Sequence, residues 1–102
     1  MAVAWYNVTM VTNPEYRSAS IIVERTQTGL RIEKRLLKVL KAVAEYHDVS
    51  LGDLVEGIVL HAFEGKCAFG RESLARIKQL KEVYGLNLTA AASHHLKEKG
   101  EK

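Results

Sequence analysis

The chain has 102 residues, of which 47% are hydrophobic and 26% charged, with a single proline. This composition excludes a largely disordered protein and predicts one small domain. The only cysteine, Cys67, excludes an intrachain disulfide and a zinc site built on several thiolates of one subunit, which favours a reducing compartment. The net charge of +3 permits nucleic acid as a partner. Because the sequence lacks a membrane-spanning apolar run and a convincing leader peptide, we expect a cytoplasmic protein without membrane contact.

Residues 1–25 contain two apolar segments separated by Asn13-Pro14-Glu15-Tyr16, which is typical of a turn. They predict either an N-terminal hairpin or a loosely ordered arm, because the apolar residues of the first segment do not alternate cleanly. Arg25 at the end of this region suits a DNA phosphate, although an isolated arginine near a turn is more often simply solvated.

The next segment, residues 26–32, predicts a short β-strand. Its alternation divides the side chains between two faces, with Thr28, Leu30 and Ile32 on one and Gln27, Gly29 and Arg31 on the other. The first face suits a protein core, and the second suits a partner.

Two helices follow, at residues 33–47 and 51–63. The second is the clearer, because its apolar residues recur at every third or fourth position throughout. Ser50 precedes it and Asp53 lies three residues later, which is close to the capping-box pattern. Gly65 is the expected stop.

A third amphipathic helix is predicted at residues 71–84, with Gly85 as its stop. It is too polar to form a core alone, so we expect it to pack back on the rest of the protein or to bind a second protein. Thr89 is a candidate cap for a frayed final helix that ends in a disordered tip.

A single copy of this chain offers too little opposing surface to cover the apolar faces of the strand and the first two helices. We therefore expect a homodimer whose folding and association are inseparable. The residues predicted to form the dimer core are Leu30, Ile32, Leu40, Leu54, Val55, Ile58 and Val59.

The order of strand, helix, short turn and capped helix resembles the ribbon-helix-helix repressors of the Arc and methionine-repressor class. In that family the strands of two subunits form an antiparallel ribbon in the DNA major groove, and four helices lock the dimer. The resemblance implies a mainly α fold with a short β-strand. Its intertwined ribbon-helix-helix core would occupy residues 26–65, between an N-terminal arm at 1–25 and a C-terminal helical extension with a frayed tail at 66–102.

The resemblance also implies which residues contact DNA. Gln27, Gly29 and Arg31 would face the bases, where arginine prefers guanine and glutamine prefers adenine, while Gly29 offers no side chain. The first-turn amides of the second helix, at Ser50 and Leu51, would hold a phosphate. A carboxylate in the same turn would repel that phosphate.

Basic residues concentrate around the predicted strand. Residues 17–41 contain seven basic and two acidic side chains, a net charge of +5. Lys34 is a further candidate DNA contact, but with Lys38 and Lys41 it is more typical of an ordinary solvated helix face.

Enzymatic chemistry finds no support in the sequence. The histidines His47, His61, His94 and His95 lack the spacing of a zinc site. There is no glycine-rich phosphate loop, serine elbow or Cys/His signature. We therefore expect no enzyme, no metal and no cofactor.

Two functions remain. The first is a homodimeric, sequence-specific protein that binds double-stranded DNA and acts as a transcriptional repressor by inserting its ribbon in the major groove. The alternative is a protein-interaction module on the same dimer scaffold, either an antitoxin-like regulator or a dimer that does not bind DNA, which uses the extension at residues 66–102. The charge of the segment around Arg31 and the exposure of an apolar stripe on helix 71–84 distinguish them.

Overall fold

The computed structural model describes residues 20–100, which form three α-helices and one 3₁₀ turn. The helices are α1 (Lys34–Tyr46), α2 (Leu51–Phe63) and α3 (Arg71–Tyr84), and the 3₁₀ turn is Ala90–Ala92. The bounds predicted for α2 and α3 are confirmed, and α1 is one residue shorter at each end than predicted.

The predicted β-strand is missing from the described part of the chain. Residues 20–33, which we call the N-terminal segment, carry neither helix nor strand, and no sheet forms within residues 20–100. A ribbon-helix-helix core needs a strand from each subunit, so the predicted fold class is wrong and the described fold is all-helical. The alternation in residues 26–32 is short, and a lone strand with no neighbour leaves its backbone groups unpaired. The predicted arm at residues 1–25 is described only from Ser20 onward.

Side chains cap the first turns of α1 and α2. Oγ of Ser50 accepts a hydrogen bond from the backbone N–H of Asp53 at 3.1 Å, as the sequence pattern predicts. At α1, Oε1 of Glu33 accepts from the N–H of Leu36 at 2.8 Å, and this hydrogen bond lowers the pKa of Glu33. Both caps satisfy backbone donors that a helix start leaves without partners.

All three helices end in the same way. Each is followed by a residue with left-handed backbone, namely Asp48 (φ 63°), Gly65 (φ 71°) and Gly85 (φ 68°). The next residue donates its N–H to the carbonyl five positions earlier, in Val49–Ala44 (3.0 Å), Lys66–His61 (2.9 Å) and Leu86–Lys81 (2.8 Å). This is the Schellman ending, which satisfies the last carbonyls of a helix. Gly65 and Gly85 were predicted as stops, and Asp48 takes the same role because a short polar side chain tolerates this conformation.

The core lies where α1 packs on α2 and α3. Its buried members are Val39, Val43 and Ala44 of α1, Leu54 of α2, and Leu86, which follows α3. Ile58, Ile77 and Leu80 are partly buried against this cluster. A polar contact supports the packing, since Nη1 of Arg35 donates to the carbonyl of Gly85 at 2.9 Å and so ties the start of α1 to the end of α3.

His47 joins the end of α1 to the start of α3. Its Nε2 lies 3.2 Å from Oγ of the buried Ser73, and its ring stacks on Phe69 with 6.4 Å between the ring centroids. Partial burial lowers the pKa of His47. Cys67 lies nearby in the connection between α2 and α3, where it is exposed and its Sγ is 3.5 Å from the carbonyl of Phe69. Within residues 20–100, no helix is both long and apolar enough to cross a membrane.

The first prediction concerns Leu54, whose side chain has no exposed surface. We expect Leu54→Ala to lower the free energy of unfolding by about 2 to 5 kcal/mol, because it removes buried methyl groups and leaves a cavity. Urea denaturation followed by circular dichroism measures this loss. Val83→Ala is the control, since Val83 is 72% exposed, and it should change stability by less than about 0.5 kcal/mol. Equal effects of the two substitutions would contradict the described core.

The second prediction follows from the lowered pKa of His47. Below the ordinary histidine pKa of about 6.5 the unfolded chain gains a proton that the folded chain still lacks. The contribution of neutral His47 to the free energy of unfolding is therefore complete above about pH 6.5, and it decreases as the pH falls toward the pKa of His47 in the folded state. We expect His47→Gln to reduce the loss of stability between about pH 7.5 and pH 5.5 in urea titrations. A pH profile of His47→Gln that matches the wild-type profile would refute the assignment.

Candidate nucleic-acid interface

Every residue from Ser20 to Ile32 is exposed. The segment contains Arg25, Gln27, Gly29 and Arg31, the residues predicted to approach DNA. Because it forms no helix or strand, side-chain contacts with the helical body are what fix its position. Two arginine contacts do so.

The first contact is between Arg25 and Glu56 of α2. Nε and Nη2 of Arg25 each lie 2.8 Å from a carboxylate oxygen of Glu56, which gives a two-pronged ion pair. The hydrogen bond with Glu56 and the negative charge of Glu56 raise the pKa of Arg25, and the charge of Asp53 raises it further. The same hydrogen bond and the positive charge of Arg25 lower the pKa of Glu56. Arg25 therefore anchors the segment beside α2, and its charge is matched within the chain.

The second contact is between Arg31 and Glu98. Nε and Nη2 of Arg31 both bind the carboxylate of Glu98, although the two residues are 67 positions apart in the sequence. Residues 30–34 and 96–99 line one surface groove, so the last described part of the chain runs beside the segment. Arg31, one of the residues predicted to face the bases, is thus held by a carboxylate, while its side chain remains 82% exposed.

Gln27 and Gly29 lie between these two anchors. Both are exposed, and a Cβ placed on Gly29 would meet no atom within 4 Å. Within residues 20–100, no close packing accounts for the glycine.

The start of α2 is less suited to phosphate than the sequence predicts. Ser50 is exposed and Leu51 is half-buried, but Oγ of Ser50 already occupies the N–H of Asp53. The Asp53 carboxylate in this first turn opposes a second anion. A phosphate at this helix end would compete with both groups.

A row of lysines on α1 forms the most clearly basic surface of the described chain. Lys34, Lys38 and Lys41 are all exposed, and their spacing places them on one side of the helix. None of the ion pairs formed within residues 20–100 involves them. We call these three residues the lysine face; Glu45, one turn further along, is the acidic residue on the same side. The lysine face follows directly on Arg31 and the N-terminal segment.

The residues predicted to form a dimer core fall into two groups. Leu54 is fully buried within one chain, Leu40 and Ile58 pack partly buried against the core, and Val55 is half-buried. Only three remain exposed, Leu30 at 72%, Ile32 at 37% and Val59 at 38%. A single chain thus buries, at least in part, more of the predicted dimer-core residues than expected from the sequence, because α3 packs on α1.

The exposed apolar surface of α2 extends beyond Val59 onto Leu60 and Phe63, which were not among the predicted dimer-core residues. Phe63 is 81% exposed and Leu60 65%, and together with Val59 they form what we call the outer face of α2. The signal was present in the sequence, because apolar residues extend around more than half of this helix. In the N-terminal segment, Ile21 and Ile22 are also almost fully exposed.

The apolar residues of α3 do not form an exposed stripe. Leu74, Val83 and Tyr84 are exposed at 48%, 72% and 38%. At 100° and 1.5 Å per residue, however, Val83 lies about 180° around the helix axis from Leu74, and Tyr84 about 15 Å along the axis from it. Ile77 and Leu80 occupy the face between them and pack on the core. The feature expected of a partner-binding third helix is therefore lacking.

Metal-binding geometry does not occur in the described region. Residues 20–100 contain no cluster of three or more histidine, cysteine or acidic side chains suited to a metal ion. His61 places its Nδ1 2.7 Å from the carbonyl of Gly57 in the same helix. His61 thus has a local backbone partner.

No protein-family model, curated protein or solved structure matches this chain. Its function must therefore be argued from its own surfaces. These are the N-terminal segment with its two anchored arginines, the lysine face beside it, and the outer face of α2.

Proposed function

We propose that the protein is a homodimer that binds double-stranded DNA and represses transcription. The observation that carries this proposal is the lysine face, three exposed cations next to an exposed segment that bears Gln27 and Arg31. Cations without carboxylate partners bind DNA phosphates and release condensed counterions, which supplies most of the affinity of a protein for DNA. A bound dimer would block other proteins from the same site.

The outer face of α2 supports the dimer. Clustered exposed apolar side chains on a small soluble domain mark an interface, whereas single ones do not. Arg25 brings the N-terminal segment to Glu56, which lies on the same side of α2 as Val59 and Phe63. The exposed apolar residues Ile21 and Ile22 lie only three or four positions before Arg25 in the chain. A second copy that packed its own outer face here would cover the outer face of α2 together with Ile21 and Ile22.

The proposed DNA contacts have two roles, which are to position the dimer on the phosphates and to recognise the bases. Lys34, Lys38 and Lys41 would bind phosphates and fix the dimer on the duplex. Arg31 and Gln27 would reach base edges, since arginine pairs with guanine and glutamine with adenine. Arg31 must first leave Glu98. An exposed ion pair is weak, so this exchange costs little.

A second candidate is a protein-interaction module on the same dimer. It is favoured by one observation, the pairing of Arg25 with Glu56 and of Arg31 with Glu98, which removes two cations from the surface offered to DNA. The distribution of apolar residues on α3 weighs against that helix as its docking surface.

The third prediction tests the dimer. Sedimentation equilibrium of the full chain should give twice the 11.4 kDa mass of one chain. Phe63→Glu should shift the mass toward that of a monomer with little change in helix content, because it places a charge in the covered apolar face. Val83→Glu adds the same charge on an exposed residue of α3 and should leave the dimer intact. A monomeric wild-type protein at high micromolar concentration would remove the dimer from the proposal.

The fourth prediction tests DNA binding. A variant with Lys34, Lys38 and Lys41 all replaced by glutamine should lose affinity for specific and scrambled duplexes alike. If all six lysines of the dimer contact phosphate, the dependence of log K on log salt should fall by about 5 units. Arg31→Ala should instead lose about 1 to 3 kcal/mol on the specific duplex for each base contact and little on the scrambled one. The specific duplex is obtained by selection from random DNA with the wild-type protein.

The matched variants Glu98→Gln and Glu82→Gln complete this test. Both remove one negative charge, but only Glu98 holds Arg31. Glu98→Gln should tighten specific binding by about two- to fivefold, the range expected on loss of an exposed ion pair, and Glu82→Gln should do so by less. A wild-type protein that selects no DNA, together with a lysine variant that behaves identically, would favour the interaction module.

A further inference from the structure

The helical body contains an apolar cavity of about 470 Å³. It lies between α1, α3 and residues 86–96, and its apolar lining includes Leu40 and Ile77. Pockets for small molecules have volumes of roughly 300 to 1,000 Å³ and are lined mainly by apolar side chains with a few polar groups. In size and lining, this cavity meets both criteria.

Small side chains form part of the wall, since Ala90 and Ala92 of the 3₁₀ turn line the cavity. The cavity is partly open to solvent. An apolar occupant would remove its apolar lining from water, which is favourable in proportion to the area buried.

The polar side chains that line the cavity carry no negative charge. They are Lys81, His94 and the hydroxyl residues Thr89 and Ser93, and residues 20–100 place no carboxylate in the lining. Lys81 is half-buried and takes part in none of the ion pairs formed within residues 20–100. Thr89 precedes the 3₁₀ turn without using its side chain as a cap. The charge of the cavity therefore complements a ligand with one anionic group.

His94 adds an independent feature of the same wall. Its backbone has φ 68°, a left-handed conformation that residues other than glycine seldom adopt. This φ belongs to a turn that the N–H of His95 closes on the carbonyl of Ala92 at 2.9 Å. The turn fixes the course of the backbone that carries Ser93 and His94 along the cavity.

The cavity and the proposed dimer face are on different sides of α2. Ile58 lines the cavity, and at 100° per residue it points about 160° away from Leu60 on the outer face. A second copy seated on the outer face therefore leaves the cavity accessible to another molecule.

We propose that this cavity is a binding site for an apolar monocarboxylate, a molecule with a hydrocarbon body and one acidic head group. The body lies between Leu40 and Ile77. The carboxylate pairs with the ammonium of Lys81, and the hydroxyls of Thr89 and Ser93 donate to its oxygens. The site requires neither a metal nor the DNA-binding function proposed above.

The test uses the full-length protein without DNA, so its outcome is independent of that proposed function. Decanoate, decanol and decylammonium, kept below their micelle concentrations, are titrated by calorimetry. Methyl NMR spectra locate the binding. Decanoate should bind saturably at one molecule per chain, more tightly than decanol, and decylammonium should bind most weakly. The shifted methyl signals should belong to Leu40, Ile77 and Ala92.

Substitutions at two lysines of α3 identify the head-group contact. Lys81→Gln should weaken decanoate binding by about tenfold, the minimum expected for loss of a charged hydrogen bond, and leave decanol unchanged. Lys78→Gln, three residues earlier and outside the cavity, should change neither. Ala92→Phe should block all three probes by filling the space.

Three results would overturn the proposal. They are no saturable binding of decanoate, equal affinity for the anionic and cationic probes, and methyl shifts centred on Leu60 rather than on the cavity. The last would mean that the probes bind only the exposed apolar surface.

Discussion

The rest of the structure depends on the burial of one side of α1. Val39, Val43 and Ala44 pack against Leu54 of α2 and the Leu86 region after α3, so α1 has neighbours on both flanks. This packing fixes the rotation of α1 about its own axis. The opposite side is then necessarily the solvated one, and it is there that the lysine face lies. The hydrophobic core and the basic surface are two consequences of a single helical periodicity.

The N-terminal segment is held in another way. It has no ladder of backbone hydrogen bonds, and two ion pairs at the surface, Arg25 with Glu56 and Arg31 with Glu98, join it to the rest of the protein. Such pairs are screened by salt and exchange readily for other anions. The segment is therefore both positioned by the body and open to competition from a phosphate. A segment in a buried sheet would lack this second property.

Local periodicity predicted the helices well and the segment poorly. The bounds of α2 and α3 follow from apolar spacing and from glycine stops, which act within a few residues. The strand prediction failed because alternation over residues 26–32 describes only which side chains share a face, whereas a strand also needs a neighbour. The contacts that hold the segment come from Glu56 and Glu98, and nothing in the local sequence indicates that they approach it.

The candidate sites, too, were only partly predictable from the local sequence. The cluster of basic residues was recognisable in the sequence. Which of these cations pair with a carboxylate of the same chain was not, because Glu98 is 67 positions away from Arg31. Arg35, for instance, is occupied with the carbonyl of Gly85. The cavity was also invisible in the sequence, since it is formed by residues of α1, α3 and the following segment that meet only after folding.

The single cysteine has a practical consequence. Cys67 is exposed in the connection between α2 and α3, only four residues after Phe63 of the outer face, and no other thiol occurs in the sequence. A maleimide fluorophore or nitroxide attached there would be the one label on each chain, without prior mutagenesis. In an assembly of two copies, the distance between the two labels would report directly on how their outer faces are arranged in solution.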